Sequence, residues 1–376
     1  MTRLAPNTPE QFAAALAEAA AAEKQIEIEG SATKSRMGGA RDPGDIVLST
    51  SALNRLLEYE PADLTVSVEA GMLWNDLLKT LAANSQTIPL DPPFESRATV
   101  GGVLAANTCG PRRRLFGSAR DAVIGMKFAT LEGKIIQSGG MVVKNVAGLD
   151  LGKLMIGSFG TLAAILVANF KVTPLPPRSR TYRFRFQTLD AVMAGRDRIL
   201  ASVLQPAALD ILNPHASARV EERDWILAVR AMGNERMIRR YTDEFEGASA
   251  IDGDRETDFW SRVREFGPDF LARHDDGAVA RFSTTLHGVA GVLRDLPVPS
   301  ICRAGNGVTY GFFPDVEAAA QWVHTHGGVL ESIPPRSCSP DEQWPAPGSD
   351  LAVMRRVKAM FDPGNLLNRG RLYGRI

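Results

Sequence analysis

One stretch, Thr99 to Pro174, limits most sharply what this chain can fold into. It sets Gly-Gly, Asn-Thr-Cys-Gly-Pro, Ala-Gly-Leu-Asp and Gly-Ser-Phe-Gly-Thr between short apolar runs of strand length. Glycine permits close backbone approach, so each break can turn amide groups toward a ligand. A single turn of this kind is ordinary in any strand connection. Several in succession, around the hairpin that Glu132-Gly133 predicts between Ile124–Phe128 and Lys134–Gln137, imply a surface able to surround a large phosphate-bearing ligand.

The chain before this stretch supplies a second loop of similar character. Thr8-Pro9-Glu10-Gln11 reads as a capping box with proline at the first helical position, which predicts an alanine-rich helix over residues 9–25. The same opening, with Glu18 inside it, argues against reading FAAALAEAAAA as a secretion signal. Ile26–Gly30 alternates apolar and acidic residues as a half-buried strand does. It runs straight into Ser31-Ala32-Thr33-Lys34-Ser35-Arg36-Met37-Gly38-Gly39, a source of amides, hydroxyls and positive charge for a diphosphate; taken alone, it reads equally as a polar surface loop. Further strands are expected at Asp45–Leu48 and Asp63–Glu69, and a helix at Leu73–Ala83. Leu90-Asp91-Pro92-Pro93 is too rigid for helix. No G-x-G-x-x-G joins a strand to a helix, so the usual Rossmann site is missing.

Pro174-Leu175-Pro176-Pro177 marks a domain boundary, which divides the chain into 1–177, 178–340 and a C-terminal helix and tail over 341–376. The middle span alternates strand and helix signals, an α+β texture. Lys plus Arg and Asp plus Glu both number 43, a balance that argues against nucleic acid or an anionic membrane as partner. No apolar run reaches the ~18 residues of a membrane-spanning helix. Cys109, Cys302 and Cys338 are three scattered thiols. They form no disulfide framework, which favours the cytosolic side, and they fall short of the four thiolates that usually hold an iron–sulfur cluster. His324 and His326 point apart on a helix, which favours a surface or helix-end role over a metal pair, and the lone His287 is more often a structural histidine than a general base. Arg112–Arg114 is either a solvated loop or a group that binds a carboxylate or docks an acidic partner.

Taken in order, GSATK, LDPP, TVGGVLAANTCGP, Asp121–Gly125, KNVAGLDLGKLMIGSFGTL and FDPGNLLNRGR resemble the FAD-binding proteins with a vanillyl-alcohol-oxidase-type (PCMH-type) flavin domain. Within them, GPRRRLFGSARDAVIG looks most like the E-subunit family of glycolate oxidase (glycolate dehydrogenase). The resemblance implies an α+β chain: a flavin domain of two small subdomains, a ferredoxin-like second domain, and a tail that returns to the flavin domain. It places Gly30, Ser31, Ala32, Thr33, Lys34 and Ser35 at the FAD diphosphate. Thr99, Gly101, Gly102, Ala105, Asn107 and Gly110 would lie on the flavin side, and Gly148, Asp150 and Ile165 near the adenosine, with Pro92 and Gly160 completing the set.

Departures from the family pattern also carry expectations. The first loop has no histidine, nor has any position before His215, so FAD is expected to be noncovalent. Where catalytic 2-hydroxy-acid dehydrogenases carry G-D-G-N-x-H, this chain has Gly305-Asn306-Gly307-Val308-Thr309-Tyr310, and no catalytic residue is assigned. The resemblance then implies work within a complex that oxidises a small 2-hydroxy acid, with a catalytic flavoprotein subunit and an iron–sulfur subunit as partners. Such a complex would be cytoplasmic or held at the inner membrane through those partners. The alternatives are a self-sufficient flavoenzyme and a flavin-free scaffold.

Overall fold

Thr8 caps the first helix, its hydroxyl accepting the Gln11 amide, with Pro9 at the first helical position. The structure is a computed structural model that describes residues 2–39, 43–141, 149–334, 339–344 and 348–376. Two compact units emerge: Met1–Thr108 with Ser118–Leu175 and Pro335–Ile376, and Cys109–Gly117 with Pro176–Pro334.

The first unit holds two small sheets and a two-stranded pairing of Gln86–Thr87 with Thr173–Pro174. Strands β1 (Thr2–Leu4), β2 (Ile26–Glu29) and β3 (Ile46–Ser49) pair in parallel, with β3 central. Helix α1 (Pro9–Ala21) covers them, burying Phe12 and Leu16 beside Ile26 and Leu48. The second sheet uses β4 (Leu56–Glu60), β5 (Thr65–Glu69), β6 (Val123–Ala129), β7 (Ile135–Gly139) and β8 (Ala164–Lys171). Its order is β4-β5-β8-β6-β7, antiparallel throughout. Every residue of β8 but Lys171 is buried, which is why the sequence shows a continuous apolar run there instead of alternation. Helix α2 (Trp74–Ala82) packs Trp74 edge-on against Phe170, with ring centroids 6.0 Å apart.

One sequence expectation fails inside the first unit. Val100–Ala106 is not a strand-length run between turns but a helix, α3. Thr99 caps it, accepting the Gly102 amide, and Asn107 closes it in the left-handed conformation (φ 49°). The two glycines hide the helical pattern, because they remove the side chains whose spacing would reveal it. Further along, Leu151–Met155 forms the short helix α4, capped by Asp150.

The second unit is one eight-stranded antiparallel sheet. Its members are β9 (Arg178–Phe186), β10 (Ala208–Leu212), β11 (Trp225–Gly233), β12 (Ser249–Ile251), β13 (Ala278–Ser283), β14 (Ser300–Arg303), β15 (Val308–Phe313) and β16 (Val329–Ser332). They lie in the order β12-β9-β11-β10-β14-β15-β13-β16. Alternate residues feed two cores. Leu209, Ile211, Leu227 and Val229 join Val192, Ile238 and Tyr241 from helices on one face. Ala208, Leu212, Ile226 and Ala228 join Phe259, Trp260 and Phe270 on the other. Helices on a mostly antiparallel sheet give the α+β class expected from the sequence.

The tail rejoins the first unit. Helix α5 (Asp350–Phe361) buries Lys358, whose ammonium donates to Thr161 O (2.8 Å), Asp362 Oδ2 (2.6 Å) and Leu367 O (3.0 Å). Burial holds this ammonium below the usual lysine range, while the Asp362 carboxylate opposes that shift. Asp362 also accepts the Leu366 and Leu367 amides. Leu367 then forms an isolated parallel bridge with Ile26 of β2.

Candidate functional site

The loop after β2 owes its shape to local turns and to distant parts of the chain. Ala32 takes a positive φ of 55°, and the Ser35 amide closes a turn on Ala32 O at 3.0 Å. Ser31 donates its hydroxyl to the Arg97 carbonyl. Lys34 is buried, donating to Pro93 O at 2.9 Å with its ammonium 4.9 Å from the Phe94 ring centroid. It thereby ties the loop to the segment that follows Leu90-Asp91-Pro92.

Against this loop stands one face of α3. An added Cβ at Gly30 would lie 2.2 Å from Thr99 Oγ1, so the two segments touch where only glycine fits. The turn Gly157–Gly160 packs on the end of α3, the Gly157 and Phe159 amides donating to Leu104 O and Ala105 O. Asn368 joins tail, turn and strand: its side chain accepts the Ile28 amide at 2.7 Å and donates to Phe159 O at 2.6 Å. Together these pieces line an open cleft. It is lined by the Glu27–Ser35 run, by Thr99, Gly102, Ala105 and Ala106 of α3, and by Phe159, Asn368, Arg369 and Arg371.

The structure therefore brings together Gly30, Ser31, Ala32, Thr33, Lys34, Ser35, Thr99, Gly102 and Ala105. Other expected residues stand elsewhere. Gly101 turns its back to the cleft and lies against Ala70, where a Cβ would meet another Cβ at 2.9 Å. Asn107 caps α3, and Gly160 carries a φ of 72° beside the Asn368 side chain. Pro92 is buried in its turn. Asp150 caps α4 and pairs with Lys153 at 2.9 Å. Ile165 sits in β8 opposite Phe128, within the core. Gly110 belongs to the second unit, and Gly148 lies outside the described residues, as does Cys338.

The arginine run divides three ways. Arg112 is buried, Arg113 exposed, and Arg114 half-buried, donating to Gln205 Oε1 (3.5 Å) and Pro206 O (3.3 Å) within the second unit. Burial lowers the Arg114 pKa. Its side chain fills the space above Gly305, where a Cβ would come within 2.3 Å of Arg114 Cδ. A charge run that looks solvated in the sequence is thus largely part of the second unit's packing. His324 and His326 end their helix, His326 stacked on Trp322. In the Gly305–Tyr310 hairpin, burial pushes the Tyr310 phenol up, and it pushes the neighbouring Cys302 thiol up to about 12.

Sequence reasoning passed over Phe159, Asn368, Arg369 and Arg371 as lining residues. The signal was the FDPGNLLNRGR motif itself, which supplies three of them.

Residues 3–139 match the FAD binding domain family, and residues 346–372 match the C-terminal domain of FAD linked oxidases. The chain is 32% identical to the glycolate oxidase subunit GlcD of Bacillus subtilis over 51% of its own length and 41% of that protein. It is 31% identical to the glycolate oxidase subunit GlcE of Escherichia coli over 63% of each chain. A solved alkyldihydroxyacetonephosphate synthase shares the fold, with a TM-score of 0.70 over 97% of this chain and 75% of the other, at 19% identity. These matches define a chain that carries an FAD binding domain and the end of an FAD linked oxidase C-terminal domain, and they support FAD as its cofactor. Its matches span 41% and 63% of the two glycolate oxidase subunits' own lengths. Among the described residues, no helix is long and apolar enough to cross a membrane.

Proposed function

We propose that this chain is the flavin-carrying subunit of an assembly that oxidises a small 2-hydroxy acid of the glycolate type, and that it passes electrons to an iron–sulfur partner. The observation that carries the reading is the cleft between the Gly30–Ser35 loop and Gly102 on α3, inside the span that matches the FAD binding domain. The residues fit a dinucleotide there. Gly30 and Thr99 approach too closely for any side chain at 30, and a Cβ at Gly102 would meet nothing within 4 Å except Thr99 Oγ1. The backbone can therefore come close to a diphosphate, with Thr33 and Ser35 offering hydroxyls. FAD, when bound, supplies the two-electron redox chemistry, and the chain supplies position and electrostatics.

The partner requirement rests on this chain's composition. Three cysteines fall short of the four thiolates usual for an iron–sulfur cluster. The Gly305–Tyr310 hairpin holds a tyrosine whose pKa is raised by burial, which is poorly suited to accept a proton near neutral pH. Both relatives are named as subunits of glycolate oxidase. The purified chain is expected to turn over glycolate with an artificial dye at under a tenth of the rate seen once a catalytic flavoprotein subunit and an iron–sulfur subunit are added. The full rate from the isolated chain would overturn the subunit reading.

The cofactor is expected to be noncovalent, since the Ser31–Gly39 loop has no histidine to attach it. Acid precipitation should leave yellow flavin in the supernatant. Colour that stays with the pellet would show a covalent bond, and a colourless native protein would favour a scaffold.

A further inference from the structure

Arg371 lies 335 or so positions from the loop it touches, near the far end of the chain, yet its buried guanidinium is fitted to that loop's backbone. Nη1 donates to the carbonyls of Ser35 (3.2 Å), Met37 and Gly39 (3.4 Å), and Nη2 donates to Lys34 O (3.2 Å). The plane of the guanidinium is held by the Phe159 ring, 5.5 Å from Cζ to the ring centroid. A trans peptide points its carbonyl and the following amide in opposite directions. Carbonyls of Ser35 and Met37 gathered onto Arg371 therefore send the amides of Arg36 and Gly38 the other way.

We infer that Arg371 is a positioning residue for the cofactor: it gathers the carbonyls of Lys34–Gly39, the continuation of the Gly30–Ser35 loop, and so fixes that loop's shape and adds positive charge at the diphosphate. The inference rests on the placement of the FAD diphosphate at this loop. Two physical points carry it. Fixing a loop in its binding shape before the ligand arrives removes an ordering cost from association. The four carbonyls are reached from two nitrogens held apart in one rigid plane, a spread that the single nitrogen of an ammonium cannot span. A purely structural arginine on a surface helix would need no such convergence on one functional loop.

The test compares FAD with riboflavin, which lacks the diphosphate and adenosine. Affinities for both are measured by flavin fluorescence on the full-length apoprotein of wild type, Arg371→Met and Arg371→Lys, with near-ultraviolet circular dichroism to check folding. Wild type should bind FAD far more tightly than riboflavin. Arg371→Met should lose at least thirtyfold in FAD affinity while riboflavin affinity changes less than threefold, and Arg371→Lys should fall between. Equal losses for the two flavins, or an unchanged FAD affinity, would overturn the inference. If Arg371→Met does not fold, the ratio in Arg371→Lys decides by the same criterion. A wild type with no preference for FAD would instead refute the diphosphate placement, and the role of Arg371 with it.

Discussion

Gly102→Val is expected to yield a folded protein almost free of FAD, while Gly101→Val one position away damages the fold itself. The two glycines face different surroundings. Gly102 lines the cleft, and a Cβ there meets only Thr99 Oγ1 at 3.1 Å, a contact the cap can absorb with a small shift. The two methyl groups of valine would then stand in the space assigned to the cofactor. Removing glycine from a helix also recovers part of its ~1 kcal/mol propensity penalty, so fold stability should change little. Gly101 instead sits on Ala70: its amide donates to Ala70 O at 2.7 Å, and a Cβ would lie 2.9 Å from that residue's Cβ. Ala70 belongs to the buried core, so the clash is an overpacking defect of about 1–3 kcal/mol or more. We expect the purified Gly102→Val protein to carry less than a tenth of wild-type flavin with a melting temperature within a few degrees of the wild-type apoprotein. Gly101→Val should show a lowered melting temperature as its first defect. Full flavin occupancy in Gly102→Val would move the cofactor away from α3.

The contrast between these neighbours shows where a sequence stops being readable. Local periodicity located the strands that alternate or run apolar, Thr65–Glu69 and Ala164–Lys171 among them, because one or two buried faces impose a side-chain pattern. It mistook Val100–Ala106, where glycine takes the place of the residues that would mark a helical face. Ala208–Leu212 and Ser300–Arg303 gave no strand signal. Their buried Asp210 pairs with Arg303 across β10 and β14, so a charge sits where an apolar residue would have announced the strand. The residue types of Gly30–Ser35 fitted a ligand loop and a polar surface loop equally, and the structure shows them lining a cleft. What shapes the loop was not legible, because Arg371, Asn368 and Phe159 reach it from positions that share no local pattern with it. Nor does a row of three arginines reveal that Arg112 is buried and Arg114 half so; only the second unit's packing decides that.

Severing the Lys358–Asp362 pair should have the largest effect on stability, and it should reach the cofactor through the tail. The side chains are 8% and 0% exposed, and the ammonium has three acceptors within 3.0 Å. Asp362→Ala leaves that charge buried beside two carbonyls and frees the Leu366 and Leu367 amides as well. Breaking one side of such a pair costs about 3–5 kcal/mol, whereas removing both charges together costs much less. For a unit of this size that corresponds to a fall in melting temperature of roughly 10 °C. Lys358→Met combined with Asp362→Ala should therefore recover part of what Asp362→Ala loses. Flavin binding should follow the same order. Leu367 pairs with Ile26, and the next residues deliver Asn368 and Arg371 to the cleft, so a loosened anchor withdraws both. Thermal melts and FAD titrations of the two variants check this together. A fall of less than about 2 °C in Asp362→Ala, or no recovery in the double variant, would mean that the tail is held by its bridge to Ile26 and not by the buried charge pair.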